Sequence, residues 1–450
     1  MKIFLCEVFI FLGCFFSQPC ALSQHSHQNP TPVLSFGTLK DMNLLMISLD
    51  TLRQDRIGTY GCPQPTSPFL NEFGKNAIVF TDMVVQYPAT VQSHRSLFTS
   101  RYFYQQSKTF PDATQTLAGL LRQANWQTAA FVDSGLMDRR FGNSSGFTVY
   151  DDQGGHLAQI RQKAVRWLDQ NMHKKFFLFM HTYDIHSPYD PPSPYNQLFK
   201  DVDYSVLKYN YGKILRSNAK SANESPQSAG EYAHLYDGGI RYCDSELFRF
   251  FTDFFKRGLD KNTVVVIISD HGESLGEKMY VGHGKLDDVQ LYAPFMMFIP
   301  EFPSMLISNP IESIDIMPTL LYLLGVKSPD DLQGKSLIPA FTKNNHKEGV
   351  FRLSEARPKS IREDDKWKLV LQVAEPSDKL YDLENDPEEL ANVIDKYPDI
   401  ASRLRKELCR KIGMTEENIR QMILKRPPKL RIPENDQTLE EQLKTLGYIQ

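Results

Sequence analysis

Val264-Val265-Val266-Ile267-Ile268 runs directly into Ser269-Asp270-His271-Gly272-Glu273. Five consecutive β-branched residues read as a strand buried on both faces of a parallel sheet. Asp and His cannot continue such a strand unless they are partnered or bind a metal, because a buried charge is costly. Open α/β sheets place their ligand crevices beyond the carboxyl ends of the strands. The junction is therefore either a surface turn or the first half of a site, and the rest of the chain decides between them.

Similar runs recur at Leu44 to Leu49, Thr128 to Val132, Phe176 to Met180 and Phe295 to Ile299. Between them, helical spacing covers Thr116 to Ala124, Leu157 to Asn171, Tyr232 to Phe255 and Ser313 to Leu324, the last closed by Gly325. Strands alternating with helices predict right-handed βαβ units and a large, mostly parallel sheet flanked by helices. Pro191 to Gly230 is polar and weakly periodic, which reads as a long surface insertion. After about Asn345 the texture changes. Val350 to Leu353, Trp367 to Gln372 and Lys379 to Tyr381 predict a small antiparallel sheet, followed by a helix over Pro398 to Ile412 and a charged tail. The expected division is a main α/β domain over 41–345 and a C-terminal subdomain with helical tail over 346–450.

Residues 1–23 read as a secretory signal peptide: Lys2, an apolar stretch reaching about Phe16, and a small-residue ending at Ala21-Leu22-Ser23. The apolar run is too short for a comfortable membrane span, so none is expected after cleavage. Phe11-Leu12-Gly13-Cys14 also admits a lipoprotein reading. Residues 24–40, rich in His, Gln, Pro and Ser, predict a disordered leader. The expectation is an exported protein, periplasmic or secreted. Only Cys62, Cys243 and Cys409 follow the signal segment, so the fold must rest on a large core rather than on disulfides. Asn143-Ser144-Ser145 and Asn223-Glu224-Ser225 match glycosylation acceptors. The net charge is −3, and the basic residues form no stripe interleaved with aromatics, which argues against a nucleic-acid partner.

A second apolar run, Asn43 to Leu49, ends at Asp50-Thr51. Two buried strands that each deliver a carboxylate at one sheet edge can share a cation, although Asp50 taken alone equally caps a turn. Asp50, Asp270 and His271 supply hard oxygens and one imidazole, a set open to Ca²⁺, Mg²⁺, Mn²⁺ and Zn²⁺.

A third stretch, Thr90-Val91-Gln92-Ser93-His94-Arg95-Ser96-Leu97-Phe98-Thr99-Ser100, completes a pattern. Together with Leu49 to Arg53, Gly58 to Gly61, Thr66 to Leu70, His181 to Tyr189, Gly282-His283-Gly284, Leu380 to Pro387 and Leu446-Gly447-Tyr448, it resembles the sulfatase family of the alkaline phosphatase superfamily. The resemblance runs in order over roughly residues 41 to 395. It implies an alkaline-phosphatase-like fold and a sulfuric or phosphoric ester hydrolase with one divalent metal ion, Ca²⁺ first among the candidates. The implied ligands are Asp50, Asp270 and His271. Thr90 takes the nucleophile position and His94 that of the arginine that steadies it. His186 would contact the anionic group or protonate the leaving oxygen, and His283 stands where the family has a substrate-binding lysine or histidine. Lys285 and His181 are added as substrate-binding candidates, Arg53 as a brace for the carboxylates, and Asp184, His186 and His283 as candidates for a second metal. The implied partner is a sulfated or phosphorylated small molecule or glycan.

The nucleophile segment departs from the family pattern. Family sulfatases oxidise a Cys or Ser to formylglycine, and this chain has Thr90, Gln92 and His94 where that signal has Cys, Pro and Arg. Threonine carries a methyl on Cβ and cannot give the aldehyde, and Ser93 is out of register, so formylglycine is not expected. A metal-bound threonine hydroxyl remains a competent nucleophile. Two other readings fit the same residues: a phosphoryl head-group transferase of the superfamily, and an inactive sulfatase-like glycan-binding protein.

Overall fold

The structure, a computed structural model, describes residues 34–106, 112–202, 204, 228–342, 350–364, 366–373, 377–425 and 437–446. The proposed signal peptide, Asn223 and most of the expected insertion lie outside the described residues. The main sheet is built from β1 (Asn43–Leu49), β2 (Ile78–Phe80), β3 (Gln127–Val132), β4 (Val149–Asp151), β5 (Phe176–Thr182), β6 (Thr263–Ile268), β7 (Phe295–Phe298) and β8 (Met305–Ile307). Their order across the sheet is β8-β2-β7-β6-β1-β5-β3-β4. Side chains of β1 alternate between two cores, Leu44 and Met46 facing one, Leu45, Ile47 and Leu49 the other. This two-sided burial explains why the central strands read as unbroken apolar runs.

The helices are α1 (Pro68–Lys75), α2 (Thr90–Thr99), α3 (Leu117–Gln123), α4 (His156–Asn171), α5 (Ser228–Lys256), α6 (Ile316–Leu323), α7 (Pro398–Ile412), α8 (Glu416–Leu424) and α9 (Gln437–Thr445). Leu97 and Phe98 of α2, with α3 and α6, cover one face of the sheet; α1, α4 and α5 cover the other. The sheet is mixed. Strand β7 pairs antiparallel with both β6 and β2, while the other pairings are parallel. A parallel return needs a crossover connection. The chain between β6 and β7 makes none and stays at the carboxyl edge of β6, so β7 enters from that edge.

Two expectations are corrected here. Residues 34–40, assigned to a disordered leader, are docked. Leu34 and Leu39 are buried, and the Gly37 and Leu39 N–H groups each donate at 2.9 Å, to the Tyr322 and Leu323 carbonyls. The Leu323 carbonyl, at the end of α6, thereby gains a partner, and the Tyr322 carbonyl gains one beside the Gly325 N–H. The described part of the presumed surface insertion also turns inward. Phe199 and Tyr204 are buried, and Tyr204 Oη donates to Asp237 at 2.6 Å. Asn143 is buried too, with Nδ2 donating to the Leu136 carbonyl, which leaves no room for a glycan at that acceptor.

The C-terminal sheet is an antiparallel meander of β9 (Phe351–Glu355), β10 (Lys359–Glu363), β11 (Trp367–Leu371) and β12 (Lys379–Asp382). Leu353, Ile361, Leu369 and Leu380 pack beneath Leu404 and Leu408 of α7. The opposite face is fastened to the main domain by charge. Lys368 Nζ meets Asp288 at 2.7 Å, Arg362 also pairs with Asp288, and Arg352 pairs with Asp82. Burial opposes ionisation of Asp288, but Lys368 and Arg362 outweigh it and hold the carboxyl well below the ordinary carboxylate range. Removing Asp288 takes this carboxylate from both Arg362 and buried Lys368, leaving Glu389 as the carboxylate beside Lys368. Asp288→Ala should therefore lower the unfolding free energy by about 3 kcal/mol at pH 7, read by urea denaturation. Because the folded pKa is depressed, this contribution exists above the ordinary value and fades as pH falls. The gap between variant and parent should narrow below about pH 4.

Candidate metal and anion site

Register brings the two strand ends level. Ser48 on β1 pairs with Ile268 on β6 and with His181 on β5, so Asp50 and Asp270 emerge side by side beyond it. Both carboxylates are buried. The backbone turns sharply after Asp50: Thr51 has φ +57°, a left-handed value that a β-branched residue rarely adopts. That turn aims the Thr51 N–H at Asp270 Oδ1, 3.3 Å away, and is held by Tyr236 Oη donating to the Thr51 carbonyl at 2.6 Å.

Hydrogen bonds leave one donor atom open on each of three residues. Asp50 Oδ2 accepts from Thr90 Oγ1 at 3.2 Å and from His181 Nε2 at 3.1 Å, while Oδ1 has no partner. Asp270 Oδ1 accepts the N–H groups of Thr51 and His271, while Oδ2 has no hydrogen-bond partner. His271 Nδ1 donates to the Gly272 carbonyl at 2.9 Å, which puts the lone pair on Nε2, also without a partner. Donor atoms from Asp50, Asp270 and His271 lie within 4.8 Å of one another, the only such metal-capable group among the described residues. Orphaned buried polar atoms are costly. Burial pushes Asp50 up to about 7, and burial with the neighbouring Asp50 charge pushes Asp270 well above its ordinary value. A divalent cation relieves both penalties, so the residues fit one.

Thr90 opens α2, whose N-cap is Ala89 with no side chain to satisfy the first-turn N–H groups. A helix start left in this state favours an anion. Ser93 Oγ donates to the Asp270 carbonyl at 2.6 Å, tying the same turn to β6. His94 does not reproduce an arginine. Its Nδ1 donates to the Thr90 carbonyl at 2.8 Å, its Nε2 lies 3.0 Å from Ser48 Oγ, and burial lowers its pKa to about 4. It holds the backbone under Thr90 as a neutral ring.

The remaining histidines divide by charge. His181, expected to touch substrate, is fully buried behind Asp50 and orients that carboxylate. His186 donates Nδ1–H to the Ser187 carbonyl, and burial lowers its pKa to about 3. Burial also opposes the proton on His283, but the Glu273 carboxylate, 3.2 Å from Nδ1, outweighs it and raises the pKa. The rings of His186 and His271 lie 5.1 and 4.5 Å from that of His283. Lys285 is exposed and sits 3.6 Å from the centroid of the Tyr280 ring, at the rim rather than among the ligands. Asp184 is spent elsewhere. Its carboxylate accepts from Leu157 N–H, Thr182 Oγ1 and His156, so it caps α4 and does not join His186 and His283 in a second metal cluster.

Arg53, expected to brace the metal carboxylates, acts through backbone and loops. Its guanidinium bonds Asp55, Glu277 and the Glu273 carbonyl, clamping the loop after β6 to the loop after β1. Glu273, Ser48 and Thr51 are the contributors that sequence reasoning passed over. Glu273 had a signal, since a third acidic or ligand-type residue follows Asp270-His271 within the same apolar setting.

With the geometry described, the sulfatase family profile matches residues 42–326. The chain belongs to the sulfatase family. A second profile, the C-terminal part of N-sulphoglucosamine sulphohydrolase, matches residues 276–414. An arylsulfatase of Clostridium perfringens is 28% identical over 268 residues, covering 54% of this chain and 55% of the relative. The chain thus spans about half the length of the curated relatives it matches. Its fold is that of the phosphonate monoester hydrolase of Agrobacterium radiobacter, with TM-score 0.69, 17% identity, and coverage of 83% of this chain and 95% of the other. It is also that of a protein solved with its substrate D-glucosamine-2-N,6-O-disulfate, with TM-score 0.71, 17% identity, and coverage of 83% and 98%. The alkaline-phosphatase-like assignment therefore holds for this sulfatase.

Partners that orient a metal ligand typically contribute 10–100-fold to metal affinity. His181→Ala should weaken divalent-metal binding by about that factor with unchanged circular dichroism, as measured by titration calorimetry on chelator-stripped protein. Lys285→Ala, at the rim, should leave the affinity unchanged.

Proposed function

We propose that this sulfatase is a metal-dependent hydrolase of a sulfate or phosphate ester, with Thr90 as its nucleophile. The observation that carries the reading is the Thr90 hydroxyl, 3.2 Å from Asp50 Oδ2 at the uncapped start of a helix and beside three open metal-donor atoms. A cation held by Asp50, Asp270 and His271 would supply Lewis acidity to that hydroxyl and to the anionic oxygens of the substrate. With an imidazole nitrogen set as donor, the trio suits Mn²⁺ or Zn²⁺ better than Ca²⁺, which prefers oxygen throughout. That shifts the order expected from resemblance alone.

The chain's own residues divide the proton work. Thr90 passes its proton toward Asp50 Oδ2 as Oγ1 attacks sulfur or phosphorus. His283, whose pKa Glu273 raises, donates to the departing oxygen as its bond to the central atom breaks. This moves the leaving-group proton, first assigned to His186, to His283, because burial lowers the pKa of His186 while Glu273 raises that of His283. A threonine ester cannot collapse by elimination as a hydrated aldehyde does, so water must cleave it. Neutral His186, with its lone pair on Nε2, takes the proton of the water whose oxygen bonds the central atom, while Asp50 returns its proton to Thr90 Oγ1 as the threonine ester bond breaks.

The curated relatives named arylsulfatases support sulfate, while an unmodified threonine supports phosphate or phosphonate. A sulfated or phosphorylated glycan is the substrate class we favour, consistent with the sulfated glucosamine named for one structural neighbour. Export rests on the sequence of residues 1–23 alone. Assays on matched nitrophenyl sulfate, phosphate and phosphonate esters, with each divalent metal in turn, separate the ester types. Thr90→Ala should lower kcat by about 10³-fold or more while metal content stays at the parent level; full activity in that variant removes the nucleophile assignment. His283→Ala should cost about 10²-fold or more on alkyl esters and much less on nitrophenyl esters, whose leaving group needs no proton.

A further inference from the structure

The turn that carries Thr90 is supported from outside by the last described helix. Val91, the residue after Thr90, is buried in a small cluster with Leu136, Phe141, Leu439 and Leu443, distinct from the three larger cores. Leu439 and Leu443 are four apart on one face of α9, Gln437–Thr445. Ser134 Oγ donates to Gln442 Oε1 at 2.6 Å, fixing α9 against the segment after β3. Just past the helix, Leu446 lies over Gly135, where an added Cβ would meet Leu446 Cδ1 at 2.4 Å and Tyr183 at 3.4 Å. Gly135 also has φ +69°, so both conformation and closeness require glycine there. Tyr183 in turn stands edge-on to His181 and His186, with ring centroids 4.7 and 5.3 Å apart.

Helix α9 thus backs two walls of the site, the Thr90 turn through Val91 and the histidine loop through Tyr183. Its residues Glu440, Glu441 and Lys444 are exposed, with Lys444 pairing to Glu440 at 2.6 Å. Ala89 offers no cap bond to the first turn of α2; Ser93 ties that turn to β6 and His94 holds the backbone under Thr90, and the packing of Val91 adds the contact with α9.

Resting on the reading of Thr90 as nucleophile, we propose that α9 is a positioning element. Leu439 and Leu443 set the Thr90 turn against Asp50, and Leu446 sets the histidine loop through Tyr183. The metal ligands lie on the ends of β1 and β6, outside the apolar cluster that holds α9. Displacing a reacting group by about 1 Å can cost about 10²-fold in rate.

The test uses the full chain carrying Leu439→Ala and Leu443→Ala together, assayed on the ester that the parent turns over best. We expect kcat to fall by about 10- to 100-fold, with KM within about 3-fold and metal content unchanged. Amide exchange should quicken at residues 91–94 but not at 264–268. The volume-conserving pair Leu439→Met and Leu443→Met should restore kcat. Parent-level kcat in the alanine pair, despite faster exchange at 91–94, would overturn the proposal. So would loss of metal and of protection throughout, which would make α9 part of the folding core. If the parent turns over none of the three esters, the nucleophile reading fails by itself. Exchange confined to 91–94 and the histidine loop then still supports α9 as the support of both walls, and unchanged exchange overturns it.

Discussion

Two carboxylates, Asp50 and Asp270, are buried side by side at the ends of neighbouring parallel strands, and much of the site is arranged around their mutual repulsion. Four of their contacts come from N–H or O–H donors: Thr51 and His271 backbone, Thr90 hydroxyl and His181 imidazole. These donors fix which oxygens are occupied and which stay open. The left-handed turn at Thr51, the Tyr236 bond that holds it and the Arg53 clamp all serve to keep the two loops at this separation. A left-handed β-branched residue typically costs of order 1–3 kcal/mol, and strain of that kind persists only where the surroundings over-determine it.

The same constraint sorts the histidines. Burial neutralises His94, His181 and His186, and each then works by geometry: under the Thr90 backbone, behind Asp50, and against the Ser187 carbonyl. His283 instead has the Glu273 carboxylate 3.2 Å from Nδ1, which outweighs burial and raises its pKa. The proton-donating and proton-accepting roles proposed for His283 and His186 follow from that single difference in partner.

The grouping of Asp50, Asp270 and His271 was legible because strand burial is. An unbroken apolar run ending in Asp-His leaves few alternatives once a second run ends in Asp at the same edge. The antiparallel C-terminal sheet and α7 were equally plain. Lys359–Glu363 was not, since Ile361 is the only apolar residue that its inner face contributes and charged neighbours dominate the pattern. The direction of β7 and the docking of residues 34–40 depend on where loops and helix ends lie, which periodicity does not encode. The charge states of His186 and His283 depend on Glu273, whose pairing becomes visible only when the loop after β6 folds back on itself.

Burial of Asn143 orders events in time. Its amide is sealed against the Leu136 carbonyl within the segment that follows β3, so an enzyme that recognises the Asn143-Ser144-Ser145 acceptor can reach it only before that segment packs. In a glycosylating host, a sugar on Asn143 would mark chains on which modification outran folding. It would also block the neighbouring Leu136 and Phe141 from closing on α2. In the folded protein the Asn143-Ser144-Ser145 acceptor is therefore no surface address.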